Sequence, residues 1–129
     1  MKTPFIERSL EDCLKQFVVE SRQPVTVRGD FLFSPDLPAF AGHFPGQPIF
    51  PAVLQMALVR LLAGRALGIP VVLARISRSK FKGFIQPEEP VRVTVTLAAD
   101  GDGWEADFSI QRESTAVASG SLGLRAAGG

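Results

Sequence analysis

The sequence predicts a single α+β domain built around one apolar helix. Its 129 residues suit one domain with a real core, and the hydrophobic share of 46% is high for a small protein. Residues 52–66 form an apolar, strongly helix-forming stretch, whereas residues 91–97 alternate between apolar and polar side chains as a strand does. Because the strand patterns follow the helix as a group, the fold class is α+β across residues 1–129.

Two elements are predicted before residue 34. Residues 9–18 carry apolar side chains at helical spacing, and Ser9 precedes Asp12 as in a helix cap, so the N-terminal segment 1–20 is predicted to be helical. Residues 25–33 alternate apolar and polar positions and predict a strand.

Residues 34–51 contain five prolines, which remove backbone donors and exclude regular structure. The predicted helix 52–66 follows directly after Pro51 and ends before Gly68 and Pro70. Apolar side chains lie on nearly every side of this helix, which predicts that it is buried all round.

Four strands are predicted after the helix, over residues 71–85, 91–97, 104–112 and 115–124. The second and third are joined by Asp-Gly-Asp-Gly at residues 100–103, a hairpin signal. The glycine-rich end, residues 126–129, is expected to fray.

Composition excludes several function classes. The formal net charge of +1 offers no general attraction to nucleic acid or to a membrane surface. The single cysteine, Cys13, has no partner for an internal disulfide and no nearby metal-type ligands, so we expect a buried small side chain and no metal site. Charged residues interrupt the N-terminus and the apolar stretch 49–67, so we expect no signal peptide and no membrane span. The expected location is therefore the cytoplasm.

His43 is the only histidine, and it lies in a segment rich in proline and glycine just before the helix. Imidazole titrates near neutrality, so it can accept or donate a proton at working pH. A histidine that only hydrogen-bonds a loop carbonyl is the alternative, but the surrounding segment favours a role in a site.

Residues 42–51, Gly-His-Phe-Pro-Gly-x-Pro-x-x-Pro before a hydrophobic helix, resemble the active-site segment of the 3-hydroxyacyl-[acyl carrier protein] dehydratases of the hotdog fold. Residues 78–87 resemble the strand that follows in that family, and the likeness spans roughly residues 25–124. It implies a curved antiparallel sheet wrapped around the helix, a second subunit, and a tunnel for an acyl chain on the phosphopantetheine of acyl carrier protein. No other cofactor is implied.

The same resemblance assigns site residues. His43 matches the histidine that acts as base at the carbon next to the thioester. Phe44, Gly46 and Pro51 would contact the substrate, and the backbone N–H groups of Ala52 and Val53 would stabilise the thioester oxygen.

Ala57 departs from the family pattern, since it stands where the helix carboxylate belongs. Residues 52–66 contain no Asp or Glu, and one general acid–base group typically contributes about 10²–10⁴-fold in rate. Gln55 is the polar candidate to replace it, although it lies about 200° away around the helix. Asp36 is the nearest carboxylate in sequence, and a turn role beside Pro35 explains it more simply.

The densest basic region suggests a docking surface for an acidic carrier protein or for phosphate, with an ordinary solvated face as the alternative. Its residues are Arg60, Arg65, Arg75, Arg78, Lys80 and Lys82, of which the last four are the docking candidates.

Three functions follow. The first is a dehydratase of 3-hydroxyacyl carrier protein in fatty-acid or polyene-type biosynthesis, as a homodimer or higher oligomer. The second is an acyl-thioester-binding subunit whose heterodimer partner supplies the carboxylate. An acyl thioesterase ranks third, because the helix offers no carboxylate to activate water.

Overall fold

The computed structural model describes residues 5–36, 52–83 and 85–128. The elements, in chain order, are α1 (Phe5–Asp12), β1 (Leu14–Arg22), β2 (Val25–Leu32), α2 (Ala52–Leu67), β3 (Val71–Phe81), β4 (Pro90–Asp100), β5 (Gly103–Arg112) and β6 (Thr115–Ala126). Within the described residues, α2 is the longest helix, and no helix there is long and apolar enough to cross a membrane.

The six strands form one antiparallel sheet in the order β1-β2-β4-β5-β6-β3. The chain leaves β2 near one edge, passes through α2, and returns as β3 at the opposite edge. The α+β prediction is confirmed, and so is the hairpin between β4 and β5, where Asp100 pairs with Gly103 and Gly101 has a φ of 59°.

One face of the sheet packs against α2. Along β4 the alternate residues Val91, Val93 and Val95 are buried, as the sequence pattern predicts. The helix approaches β2 closely at Gly29, where an added Cβ would lie only 2.6 Å from a methyl carbon of the fully buried Leu62. The absence of a side chain at Gly29 therefore sets how near α2 can come to the sheet.

The N-terminal prediction is wrong beyond residue 12. Helix α1 ends at Asp12, and Leu14–Arg22 forms strand β1, paired with β2. Apolar spacing over a short stretch fits both structures, and here Phe17, Val18 and Val19 favour the extended one because aromatic and β-branched side chains suit strands.

The expected fraying from residue 126 is also wrong at its start. Ala126 pairs with Val71 in the sheet, and the N–H of Ala127 donates to the carbonyl of Pro70 at 2.9 Å. Backbone hydrogen bonds to Pro70 and strand β3 therefore hold the chain in the sheet as far as residues 126 and 127.

Helix α2 starts at the predicted residue and ends one residue later than predicted, at Leu67, with Gly68 next to it in the left-handed region at φ 73°. Burial on all sides is wrong, however. Leu58, Leu62 and Ala63 are buried, whereas Val53 at the start of the helix is 64% exposed. A single sheet covers only one side of a helix, and this accounts for the exposed side.

Gly120 is predicted to be essential for the attachment of β3. A Cβ at this position would meet the carbonyl oxygen of Arg78 and lie 2.8 Å from the Cα of Ser79, both backbone atoms of the paired strand. We expect Gly120→Ala to lower the free energy of unfolding by about 1–3 kcal/mol, as overpacking typically does. Urea denaturation measures the change.

Gly83→Ala is the matched control, because its Cβ would find its nearest neighbour at 3.9 Å, an ordinary contact. Equal unfolding free energies for Gly120→Ala and the unmodified protein would contradict this account of the β3–β6 contact.

Candidate active site

Four of the predicted site residues, His43, Phe44, Gly46 and Pro51, lie outside the described residues. Their roles therefore stay predictions. The described part of the candidate site begins with the first residue of α2 and continues along that helix and the edge strand β3.

The first turn of α2 presents backbone donors. Ala52 and Val53 are both exposed, and the first turn contains no acidic side chain. The leading N–H groups of a helix have no partner within the helix, and they carry the positive end of its dipole. This end of α2 thus offers a suitable environment for a developing negative charge on an oxygen.

Ala57 lies one turn further on and is buried, with 8% of its surface exposed. It lines two cavities. One, of about 250 Å³, also contacts Val53, Met56 and Arg60, together with residues of β3 and β6. The other, of about 390 Å³, extends past Arg60 toward the end of the helix. Ala57 is therefore bordered by open space, between α2 and strands β3 and β6 on one side and toward the end of the helix on the other.

Gln55 occupies a different face of α2. It is 3% exposed and shares its side of the helix with the buried Leu58 and Leu62, three and seven residues later. It is not among the residues that line either cavity at Ala57. The structure thus separates Gln55 from Ala57, and a catalytic role for Gln55 stays a prediction.

The basic residues of β3 divide into two groups. The Arg75 guanidinium donates to Asp100 at 2.6 Å and to Glu105 at 2.7 Å. The hydrogen bond to Asp100, followed by the charge of Glu105, raises the pKa of Arg75. Arg75 is thus occupied by two carboxylates of its own chain.

Arg78 and Lys80, by contrast, line a cavity of about 540 Å³ formed by β3, β6 and β5, whose lining also includes Asp107. Among the described residues, neither has a carboxylate within ion-pair distance. A bulge between Ile76 and Arg78 separates them from Arg75. Lys82, just beyond the strand, is exposed, and its N–H donates to the carbonyl of Val117 at 2.7 Å.

Sequence reasoning missed the surroundings of Ala57. Arg60 lies beside it in both cavities, and Glu11 of α1 lines the larger one. Arg65 places its guanidinium 5.5 Å from the centroid of the Phe17 ring, so the end of α2 is tied to β1. Helical spacing could have placed Arg60 near Ala57, but no signal in the sequence brings Glu11 to this helix.

Cys13 is buried, as predicted, and its thiol donates to the carbonyl of Ser9 at 3.3 Å. Burial raises the pKa of the Cys13 thiol. A raised pKa lowers the thiolate fraction at neutral pH, so this side chain fills space in the core and is a poor nucleophile.

The antiparallel sheet packed on one long helix defines a hotdog-fold protein, and comparison with known structures confirms this. The dehydratase heterocomplex ApeI:P from Xenorhabdus doucetiae contains a chain that superimposes with a TM-score of 0.71, covering 87% of this chain and 96% of that one at 20% identity. The fluoroacetyl-CoA thioesterase FlK superimposes with a TM-score of 0.64 at 18% identity, covering 78% of this chain and 83% of FlK. At these identities the likeness concerns the fold alone.

The sequence identifies the family within this fold. Residues 19–121 match the ApeI-like family, described as ApeI dehydratase, and the chain belongs to that family. The 3-hydroxyacyl-[acyl-carrier-protein] dehydratase FabZ of Chloroflexus aggregans is 38% identical over 87 residues, which is 62% of this chain and 60% of the relative. The resemblance of residues 42–51 to the hotdog dehydratases is thereby confirmed at the level of the family.

Proposed function

We propose that this protein acts as a dehydratase on 3-hydroxyacyl thioesters of acyl carrier protein, in the cytoplasm, in fatty-acid or polyene-type biosynthesis. The observation that carries the proposal is the segment 42–51, with His43, directly before a helix of an ApeI-like family member. The FabZ similarity supports the same reaction class and substrate.

The reaction requires a base, an acid and a site for negative charge. His43 takes a proton from the carbon next to the thioester carbonyl, and negative charge builds on the thioester oxygen. The N–H groups of Ala52 and Val53 at the start of α2 stabilise that oxygen. The hydroxyl on the next carbon then leaves as water once it receives a proton, which yields the enoyl thioester.

That last proton must come from a group other than a carboxyl group of helix α2. Helix α2 contains no Asp or Glu, and the family resemblance implies that Ala57 stands where the carboxylate belongs. This observation favours a second candidate function, a binding subunit whose partner supplies the acid. ApeI:P is a dehydratase heterocomplex, which supports pairing of this chain with a different subunit.

The surface of the single chain supports pairing with a second subunit. Val53 at the start of α2 and Leu73 and Ile76 on β3 are apolar and at least partly exposed, at 64%, 39% and 50%. Strand β3 is an edge strand that pairs with β6 alone among the described elements. Exposed apolar side chains next to an unpaired strand edge favour association with a homologous hotdog subunit.

A turnover assay separates the two functions. The protein is incubated with 3-hydroxyacyl carrier protein, first alone and then with a second hotdog protein that retains a helix Glu or Asp, and the enoyl thioester is quantified. Dehydration by the protein alone supports the first function. Dehydration only in the mixture supports the second, and release of free thiol without an enoyl product would identify a thioesterase and overturn both.

Carrier-protein docking is predicted to depend on Arg78 and Lys80 more than on Arg75. Each exposed cation that faces an acidic carrier contributes modestly to the binding free energy. The double variant Arg78→Ala/Lys80→Ala is therefore expected to raise the Kd for acyl carrier protein roughly fivefold to tenfold. The difference in affinity between the unmodified protein and the double variant should shrink as salt is added, because screening weakens exposed charge pairs. Surface plasmon resonance at two salt concentrations measures both effects.

Arg75→Ala serves as the comparison, since this side chain is already paired with Asp100 and Glu105. A larger loss of carrier binding from Arg75→Ala than from the double variant would place the docking surface elsewhere on β3.

A further inference from the structure

The two cavities beside α2 follow one side of the helix. The smaller lies toward its start, between Val53, Met56 and strands β3 and β6. The larger lies toward its end, between Leu61, Gly64 and the residues that follow the helix. Ala57 and Arg60 line both, so the two cavities are neighbours on either side of these residues.

Helical geometry explains the alignment. Ala57, Leu61, Gly64 and Gly68 are three or four residues apart, so they lie above one another on one stripe. From Val53 to Gly68 this stripe is roughly 22 Å long, at about 1.5 Å per residue. The small side chain of Ala57 leaves space open at that point of the stripe, whereas Gly64 allows the backbone of Ile69 to approach the helix, where an added Cβ would lie 3.0 Å from its carbonyl oxygen.

The larger cavity has a lining suited to a hydrocarbon. Leu61, Ile69, Pro70 and Val71 supply apolar surface, with Val71 buried. Glu11 and Arg65 of this cavity are exposed and therefore stand on its solvent side, whereas Arg60 is half-buried where the two cavities adjoin. An apolar chain that enters from the smaller cavity would leave the charges of Glu11 and Arg65 in water and pass the aliphatic stem of Arg60.

We propose that the distal part of the substrate's acyl chain passes Ala57 and enters the larger cavity, so that Ala57 determines which chain lengths the protein accepts. The proposal rests on the proposed function, which places the thioester at the start of α2. A carboxylate side chain at position 57 would project into the junction of the two cavities. Its replacement by alanine removes a proton donor and, by the same change, opens a path for a long chain.

The affinity of a series of saturated acyl-pantetheine thioesters that differ only in chain length tests this proposal. Titration calorimetry on the unmodified protein should show that the affinity rises about fourfold per added methylene. This is the effect of burying one methylene group, which contributes about 0.8 kcal/mol. In Ala57→Leu the rise should stop at a shorter chain. In Leu61→Trp, which fills the larger cavity beyond Ala57, it should stop at an intermediate length.

Ala66→Leu is the matched control, because it makes the same change on the same helix at a half-buried residue that lines neither cavity. Its chain-length profile should match that of the unmodified protein. Leu61→Trp carries the test if Ala57→Leu does not fold.

Identical chain-length profiles for the unmodified protein, Ala57→Leu and Leu61→Trp would overturn the proposal, and so would an affinity that does not change with chain length. These ligands lack the 3-hydroxyl group, so their binding does not depend on dehydration. A protein that dehydrates substrate but shows no effect of Ala57→Leu would retain the proposed function without this inference. A protein with a chain-length profile but no turnover would retain the inference as a binding property.

Discussion

Replacing His43 by alanine is expected to lower kcat/KM for the dehydration of 3-hydroxyacyl carrier protein by about 10²–10⁴-fold, the usual contribution of a positioned general base. The chain has no second histidine to take over the proton. The loss should appear in kcat rather than in carrier binding, because the docking residues proposed on β3 are unchanged. A continuous assay of enoyl thioester formation, alone and with a partner subunit, measures it.

Asp36→Asn is the control for this experiment, since Asp36 is the carboxylate nearest to His43 in sequence. Its backbone N–H donates to the Ser34 hydroxyl oxygen at 3.2 Å, and its side chain lies on the surface. We expect this variant to keep its activity. Equal rates for His43→Ala and the unmodified protein would remove His43 from the mechanism, and with it the proposed reaction.

Introducing a carboxylate at Ala57 is expected to have the second-largest effect. If the chain lacks only its acid, Ala57→Glu should raise dehydration by the protein alone by about 10²-fold, the lower end of what a general acid contributes. The site is buried and bordered by cavities on two sides, so a longer side chain has room. Burial also raises the pKa of a carboxyl group, which favours the protonated form that an acid needs.

Ala57→Gln separates chemistry from shape, because it has nearly the same size and carries no acidic proton. Only the Glu variant should gain activity, measured as initial rates on a short-chain substrate that does not reach past position 57. A gain in both variants would point to packing, and a gain in neither would show that another group already supplies the proton.

The two roles assigned to position 57 predict opposite effects of one substitution on short and long acyl chains. Glu at position 57 should speed the reaction of short chains and weaken the binding of long ones, because the same side chain supplies a proton and narrows the junction between the cavities. Rates and affinities measured across one chain-length series would show both changes in a single variant.

Much of the fold could be predicted from local pattern. Strand β4 is read from the alternation of Val91, Val93 and Val95, and helix α2 from an apolar stretch between Pro51 and Gly68. Both signals are strong because they are long and have clear ends. The helix predicted over residues 9–18 is wrong from residue 14 onward, because five apolar positions in a ten-residue stretch cannot distinguish a helix from a strand, and only pairing with β2 decides between them.

By itself, the sequence determined the fold class, the family resemblance and the absence of a carboxylate from α2, because each of these depends on residue identity and near-neighbour spacing. The tertiary structure alone decided what surrounds those residues. It placed Ala57 beside two cavities, brought Glu11 of α1 to the end of α2, and paired Arg75 with carboxylates from β4 and β5. Such relations join residues far apart in the chain, and they form only when the sheet folds against the helix.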